Sequence, residues 1–237
     1  MQRKEFIKRL GFGSLMVPLV AACGKDDDPT PATDTTTTDG TTSTGTCTVS
    51  PSETAGPFPT KTPADLVMAD IRSDRTGIEM VVNMAIQNSN NSCAALADAI
   101  VDIWHCDKDG NYSEYGGTSM QSTNYQSVHF LRGRQSTNSD GVVAFKTIFP
   151  GWYSGRAPHI HVHVYDSTGK SLLVTQIAFP TDVCNTVYTT ATSFYTKGTQ
   201  DTSNTSDNVF SDSLAKRTGY RYRKRSRRLC VDPYGGC

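Results

Sequence analysis

Apolar and polar positions alternate with a two-residue period in several separate stretches of the chain. Ile78 to Gln87 alternates in this way, Val142 to Ile148 does so again, and His159 to Tyr165 sets polar side chains against β-branched ones. Ala99 to His105 and Leu172 to Phe179 are shorter apolar runs of strand length, and Gly, Asn, Asp, Ser and Pro separate the set. A period of two sends successive side chains to opposite faces, so each stretch is predicted to be a β-strand. No long stretch shows a convincing 3.6-residue apolar period. Short strands without intervening helices predict an all-β fold, a β-sandwich.

Upstream the pattern changes. A basic segment, Gln2 to Arg9, precedes an apolar run from Leu10 to Ala22 that is too short to span a bilayer comfortably and ends in small residues. Residues 1–22 are therefore predicted to be a signal peptide. Val20-Ala21-Ala22-Cys23 resembles a lipobox, so Cys23 is expected to become a lipidated N-terminus holding the protein in the cell envelope, at the outer membrane or cell surface. Arg3-Lys4-Glu5-Phe6-Ile7-Lys8 also resembles a twin-arginine signal with lysine in the second arginine's place. Residues 23–46 are rich in Thr, Asp, Gly, Ser and Pro. They lack the large apolar side chains that would offset the entropy of ordering them, and are predicted to be a flexible tether. The folded domain is expected to run from Cys47 to about residue 216.

Charge divides the chain again. Lysine plus arginine and aspartate plus glutamate number 23 each, yet Lys216, Arg217, Arg221, Arg223, Lys224, Arg225, Arg227 and Arg228 crowd together near the end. Without those eight the remainder holds 15 basic against 23 acidic residues. An acidic domain with a basic tail argues against nucleic acid as a partner. Stacking many like charges in a sheet is unfavourable, so the tail 217–237 is expected to be unpaired. Its abrupt reversal of charge suggests a reading-frame change near residue 216; the other reading is a basic tail that touches anionic lipid or polymer. Apart from Cys23, six cysteines remain in an exported chain, which invites disulfides but leaves 15 possible pairings.

The chemistry concentrates between residues 150 and 164. On a strand from His159, the histidines 159, 161 and 163 share one face, and an i,i+2 imidazole pair is one way for a strand to present metal ligands. A half-exposed strand with solvated histidines is the alternative. Further motifs accompany this stretch in order: Gly56-Pro57-Phe58, then Ile103-Trp104-His105 running through Gly110-Asn111 to Tyr112. Asp140-Gly141 comes next, followed by Ile148-Phe149-Pro150-Gly151-Trp152-Tyr153, Arg156-Ala157-Pro158-His159-Ile160-His161, and Leu173-Val174-Thr175-Gln176.

This ordered set resembles the intradiol ring-cleavage dioxygenases, over about Cys47 to Phe210. The resemblance implies non-haem ferric iron, Fe(3+), held by Tyr112, Tyr153, His159 and His161. It implies a catechol-type substrate opened by dioxygen to a muconate-type diacid, with Tyr112, Arg156 and Gln176 taking part. Arg156 would stabilise negative charge on the ring and Gln176 would orient it. The donor chemistry agrees: two phenolates and one hydroxide balance a trivalent hard cation, and two imidazoles add no charge. Only Ser154 and Gly155 separate Tyr153 from Arg156, fewer residues than in catabolic members, and the helical dimerisation segment of catechol dioxygenases is absent. Two other readings stay open: a non-catalytic, surface-anchored metal-binding sandwich, and a zinc hydrolase, for which the histidine pair lacks a glutamate placed as base. The sequence leaves the oligomeric state open.

Overall fold

The computed structural model describes residues 47–213 and, as backbone, the strand 227–231. The predicted signal peptide, the lipobox at Cys23, the tether and most of the basic tail lie outside the described residues.

Two four-stranded sheets form the fold. The first contains β1 (Glu79–Asn88), β2 (Ala94–Ala95), β5 (Val142–Ile148) and β8 (Arg227–Val231). The second has the order β4 (Arg132–Ser136), β3 (Ile100–Trp104), β6 (His159–Tyr165), β7 (Ser171–Ala178), every neighbour antiparallel. The sheets pack through their alternating apolar positions. Val82, Met84 and Ile86 on β1 and Val143 and Phe145 on β5 meet Val101 and Ile103 on β3, Ile160, Val162 and Val164 on β6, and Leu173 and Ile177 on β7. All five strands expected from periodicity are present, with ends shifted by a residue or two.

Alternation had a second consequence on β6. Its apolar residues take the core face, so His159 and His161 stand on the outer face of the second sheet, yet both are buried. The cover is loop. Glu53 N–H donates to Val174 O (2.7 Å), Thr175 Oγ1 to Pro51 O (2.7 Å) and Gln176 Nε2 to Thr54 O (2.8 Å), which lays the segment entering the domain along β7. A disulfide between Cys47 and Cys93 ties its start to the turn after β1. Cys106 and Cys184 are buried free thiols.

Two expectations are corrected. A helix, α1 (Thr181–Thr190), follows β7; its threonines and short length hide a buried pair at i,i+4 spacing, Cys184 and Tyr188, that packs into the core. The tail, expected to be unpaired, contains β8, which runs parallel to β1 in the register Met84↔Arg227 to Asn88↔Val231. Met84 and Ala85 also pair with β5, so β8 takes the opposite edge of β1. Backbone groups along an open edge pair with any extended segment regardless of side-chain charge, which is why the charge argument failed there.

Candidate active site

Tyr112, Tyr153, His159 and His161 come from three parts of the chain and meet on the outer face of the second sheet. Tyr112 Oη lies 3.2 Å from His159 Nε2, and His159 Nε2 lies 3.1 Å from His161 Nε2. The Tyr153 ring stands 5.9 Å from that of Tyr112 and 5.8 Å from that of His159, edge-on to both. Tyr112 is fully buried and Tyr153 partly exposed.

Each position has a local cause. Gly110, at φ +93, sits where an added Cβ would fall 2.3 Å from Trp152 O, so this turn nests against the Pro150–Tyr153 turn. Gln121 grips the tyrosine backbone from both sides, its Oε1 accepting from Tyr112 N–H (2.7 Å) and its Nε2 donating to Tyr112 O (2.8 Å). Phe58, from the Gly-Pro-aromatic turn, stacks on the Tyr112 ring at 4.7 Å. Tyr153 is held by its neighbours: Trp152 Nε1 donates to Gly198 O (2.9 Å), and Ser154 Oγ to Asp201 Oδ2 (2.6 Å). His161 lies between the Trp104 indole, parallel at 4.9 Å, and Gly56.

The imidazoles have a proton problem. Ala157 O, 2.6 Å from His159 Nδ1, can only accept, so the neutral ring carries its proton there and presents a lone pair at Nε2. His161 Nδ1 is buried without a hydrogen-bond partner among the described residues. A proton on that atom sets two Nε2 lone pairs against each other; a proton on Nε2 leaves a buried acceptor unsatisfied. A cation drawn to both lone pairs removes the repulsion in the first arrangement, and the His159–Ala157 bond is of the kind that orients a metal-bound imidazole. Burial, reinforced by Arg156, pushes His159 down to about 3, and burial with His159 beside it pushes His161 well below the ordinary 6.5, so both rings are neutral at pH 7. Burial holds both phenols above the ordinary 10, with Arg156 pulling Tyr153 back. Neutral imidazoles and phenols that need a cation to ionise suit a metal. Among the described residues no group of three or more His, Cys, Asp and Glu side chains is placed to hold one.

Arg156 is buried beside this point. Its Nη2 donates to Gln176 Oε1 (2.6 Å), and Gln176 is anchored in turn on Thr54. Its Nε donates to Asp207 Oδ2 (2.8 Å), an oxygen that also accepts from Ala157 N–H (2.8 Å). Phe210 lies under the guanidinium at 5.4 Å. Asp207 was not singled out in the sequence, where an aspartate in a polar turn carries no signal; its Oδ1 caps the Val209 N–H (2.8 Å). Gln121 was equally silent. The remaining histidines stand apart. His105 is bonded to Cys106 O and Thr147 Oγ1, His129 to Glu114, and His163 to Ser171 and Tyr165.

Fold and site together define a β-sandwich with two imidazoles and two phenols gathered on the loop-covered face of one sheet. Residues 54–210 match the profile of the family described as Dioxygenase. The chain is 28% identical over 145 residues to a chlorocatechol 1,2-dioxygenase of Rhodococcus opacus, covering 53% of this chain and 52% of that protein. It is 25% identical over 121 residues to catechol 1,2-dioxygenase 1 of Acinetobacter lwoffii, covering 44% and 37%. The fold superposes on an intradiol ring-cleavage dioxygenase from Tetranychus urticae with a TM-score of 0.70 at 27% identity, covering 80% of this chain and 97% of that one. The chain belongs to the intradiol ring-cleavage dioxygenase family. Its matches span about half or less of the length of the two curated relatives.

Proposed function

We propose that the protein cleaves a catechol-type ring between its two hydroxylated carbons, placing both atoms of dioxygen in a muconate-type diacid. Tyr112, Tyr153, His159 and His161 would hold ferric iron for this. The observation that carries the reading is the meeting of Tyr112 Oη and the two imidazole Nε2 atoms within 3.2 Å of their neighbours. Bound ferric iron would supply a strong Lewis acid that draws electron density from a catecholate.

The chain's own groups do the rest. Tyr112, wholly buried and gripped by Gln121, is a fixed donor. Tyr153 is the more exposed phenol, so its Oη is the atom suited to take up a catechol proton as substrate arrives. Arg156 brings a fixed positive charge near the point where negative charge grows on the ring, in a buried setting where such a charge acts strongly. Asp207 and Gln176 keep that guanidinium from turning away. Phe58 and Tyr115, which meet edge to face at 5.2 Å, offer aromatic wall.

Purified protein loaded with ferric iron should be coloured by a phenolate-to-iron band and should convert a catechol with incorporation of both labelled oxygen atoms. Tyr153→Phe should abolish or shift the band, and His161→Ala should mainly weaken iron retention. Unchanged colour and iron content in both variants would remove the ligand assignment. Export and lipid anchoring at Cys23 rest on the sequence of residues 1–23 and are proposed with it. Metabolic labelling with a fatty acid, lost in Cys23→Ala, is the expected result, and labelling that survives the substitution rejects the anchor.

A further inference from the structure

Arg132 opens β4 beside the Tyr112 turn and is wholly buried. Its guanidinium donates from Nε to Ser113 Oγ (2.8 Å), from Nη1 to Phe58 O (3.0 Å) and Thr60 Oγ1 (3.1 Å), and from Nη2 to Ser113 O (2.6 Å). The buried Glu114 carboxylate lies 3.7 Å from Nε and supplies counter-charge; it also accepts from Lys61 N–H (2.7 Å). Removing a guanidinium from water is strongly unfavourable, and an apolar side chain of similar volume fills a core with less difficulty. What Arg132 does that an apolar residue cannot is join specific acceptors. They belong to two segments, the turn that follows Tyr112 and the Phe58–Thr60 stretch whose phenylalanine stacks on Tyr112.

The backbone on both sides of this junction is strained. Glu114 and Leu131 hold φ of 67° and 56°, left-handed values that are unfavourable for a non-glycine residue. Glu114 stands two residues after Tyr112, and Leu131 directly precedes Arg132. Ser113 Oγ links the two strained places, donating to Phe130 O (2.6 Å) while accepting from Arg132 Nε. Strain persists only where the surroundings over-determine it; here Glu114 N–H donates to Tyr125 O (2.8 Å) and Leu131 N–H to Ile71 O (2.7 Å), and the planar fork of Arg132 holds Ser113 between them.

On the reading given under Proposed function, we propose that Arg132 is a positioning residue for Tyr112. It fixes the Ser113 turn and the Phe58 wall as one unit, so that the phenol has a single approach to the metal donors. It acts through Ser113 and Phe58, its guanidinium also lies 5.9 Å from the centre of the Tyr112 ring, and it does not touch the reacting atoms. Lysine would not replace it: one nitrogen with three donors cannot span the four contacts that the guanidinium makes in its plane.

The test compares Arg132→Lys and Ser113→Ala with wild type, using Arg134→Lys as a control. Arg134 lies two residues along the same strand and pairs with Asp102. In ferric protein the readouts are the visible band and the rate of iron loss to a chelator. In metal-free protein the readout is the ring-13C tyrosine NMR signal of Tyr112. Arg132→Lys and Ser113→Ala should shift the band, release iron roughly tenfold faster, and broaden or split the Tyr112 resonance; Arg134→Lys should do none of these. If both variants lose only thermal stability while band, iron release and resonance stay at wild-type values, Arg132 is merely structural and the proposal falls. Should Arg132→Lys fail to fold, Ser113→Ala decides by the same outcomes. If wild-type protein takes up no iron, the functional reading fails separately, and the Tyr112 resonance alone decides the positioning role.

Discussion

Gly56 shows how little freedom His161 has. At φ +70 an added Cβ would lie 2.9 Å from His161 Cε1 and 3.4 Å from Nε2, while the Trp104 indole blocks retreat on the other side of the ring. Gly56→Ala would therefore combine backbone strain of roughly 1 kcal/mol with a forced displacement of the imidazole. The expected outcome is iron retention reduced roughly tenfold and a modest fall in melting temperature. Dialysis against a chelator followed by iron analysis checks this, and retention equal to wild type would show that the ring has room to move. The sequence made Gly56-Pro57-Phe58 readable as a turn, but why glycine is needed there depends on a histidine 105 residues further on. Asp207 and Arg132 were illegible for a related reason. A charged residue between ordinary neighbours says nothing until folding supplies its partners.

Elements were legible where burial imposes a period. On β6 the apolar residues Ile160, Val162 and Val164 had to face the core, so the histidine face followed directly. β4, Arg132-Gly-Arg-Gln-Ser, gave no such sign, because Gly133 and Gln135 fill its core-facing positions, Gln135 donating to Ala144 O of β5, and its edge position demands little apolar surface. α1 was hidden by threonines, which favour strands in isolation. Tertiary packing overrides that preference, since Tyr188 is buried against Phe149 and donates to Pro150 O (2.8 Å). β8 was misjudged because charge was weighed and the open edge of β1 was not. It follows that removing residues 214–237 should destabilise the domain by about 1–2 kcal/mol, through lost edge pairing, and leave five residues of β1 open to strands of other molecules. Lower melting temperature with increased self-association in sedimentation is the expected result. A truncated protein that melts like the full chain and stays dispersed would mean that β8 contributes nothing to the fold.

At the scale of the whole molecule, burying three neutral imidazoles makes stability depend on acidity. Burial pushes His105 down to about 4, His159 to about 3 and His161 well below the ordinary 6.5. In the unfolded chain all three titrate near 6.5. Between about pH 6.5 and 4 the unfolded state therefore binds protons that the folded state refuses, so stability is present above 6.5 and falls with acidification. At pH 5 His105 and His159 each remove about 2 kcal/mol, together about 4 kcal/mol, and His161 acts in the same direction; this is a large part of the ~5–15 kcal/mol typical of a domain. Asp107 acts in the opposite sense, its carboxyl raised by burial, although the N–H groups of Asn111 and Asp109 and the nearby Arg75 hold it back. The carboxylates of Asp70 and Asp166, held low by hydrogen bonds from neighbouring groups, titrate below this window. Metal-free protein should accordingly lose several kcal/mol between pH 7.5 and pH 5 in urea denaturation. His105→Gln should remove about 2 kcal/mol of that dependence at pH 5, and because His105 is bonded to Cys106 O and Thr147 it stands outside the candidate donor set. A flat profile over this range would mean that the three rings are not held neutral in the folded state, and the proton arrangement argued for the site would fall with it.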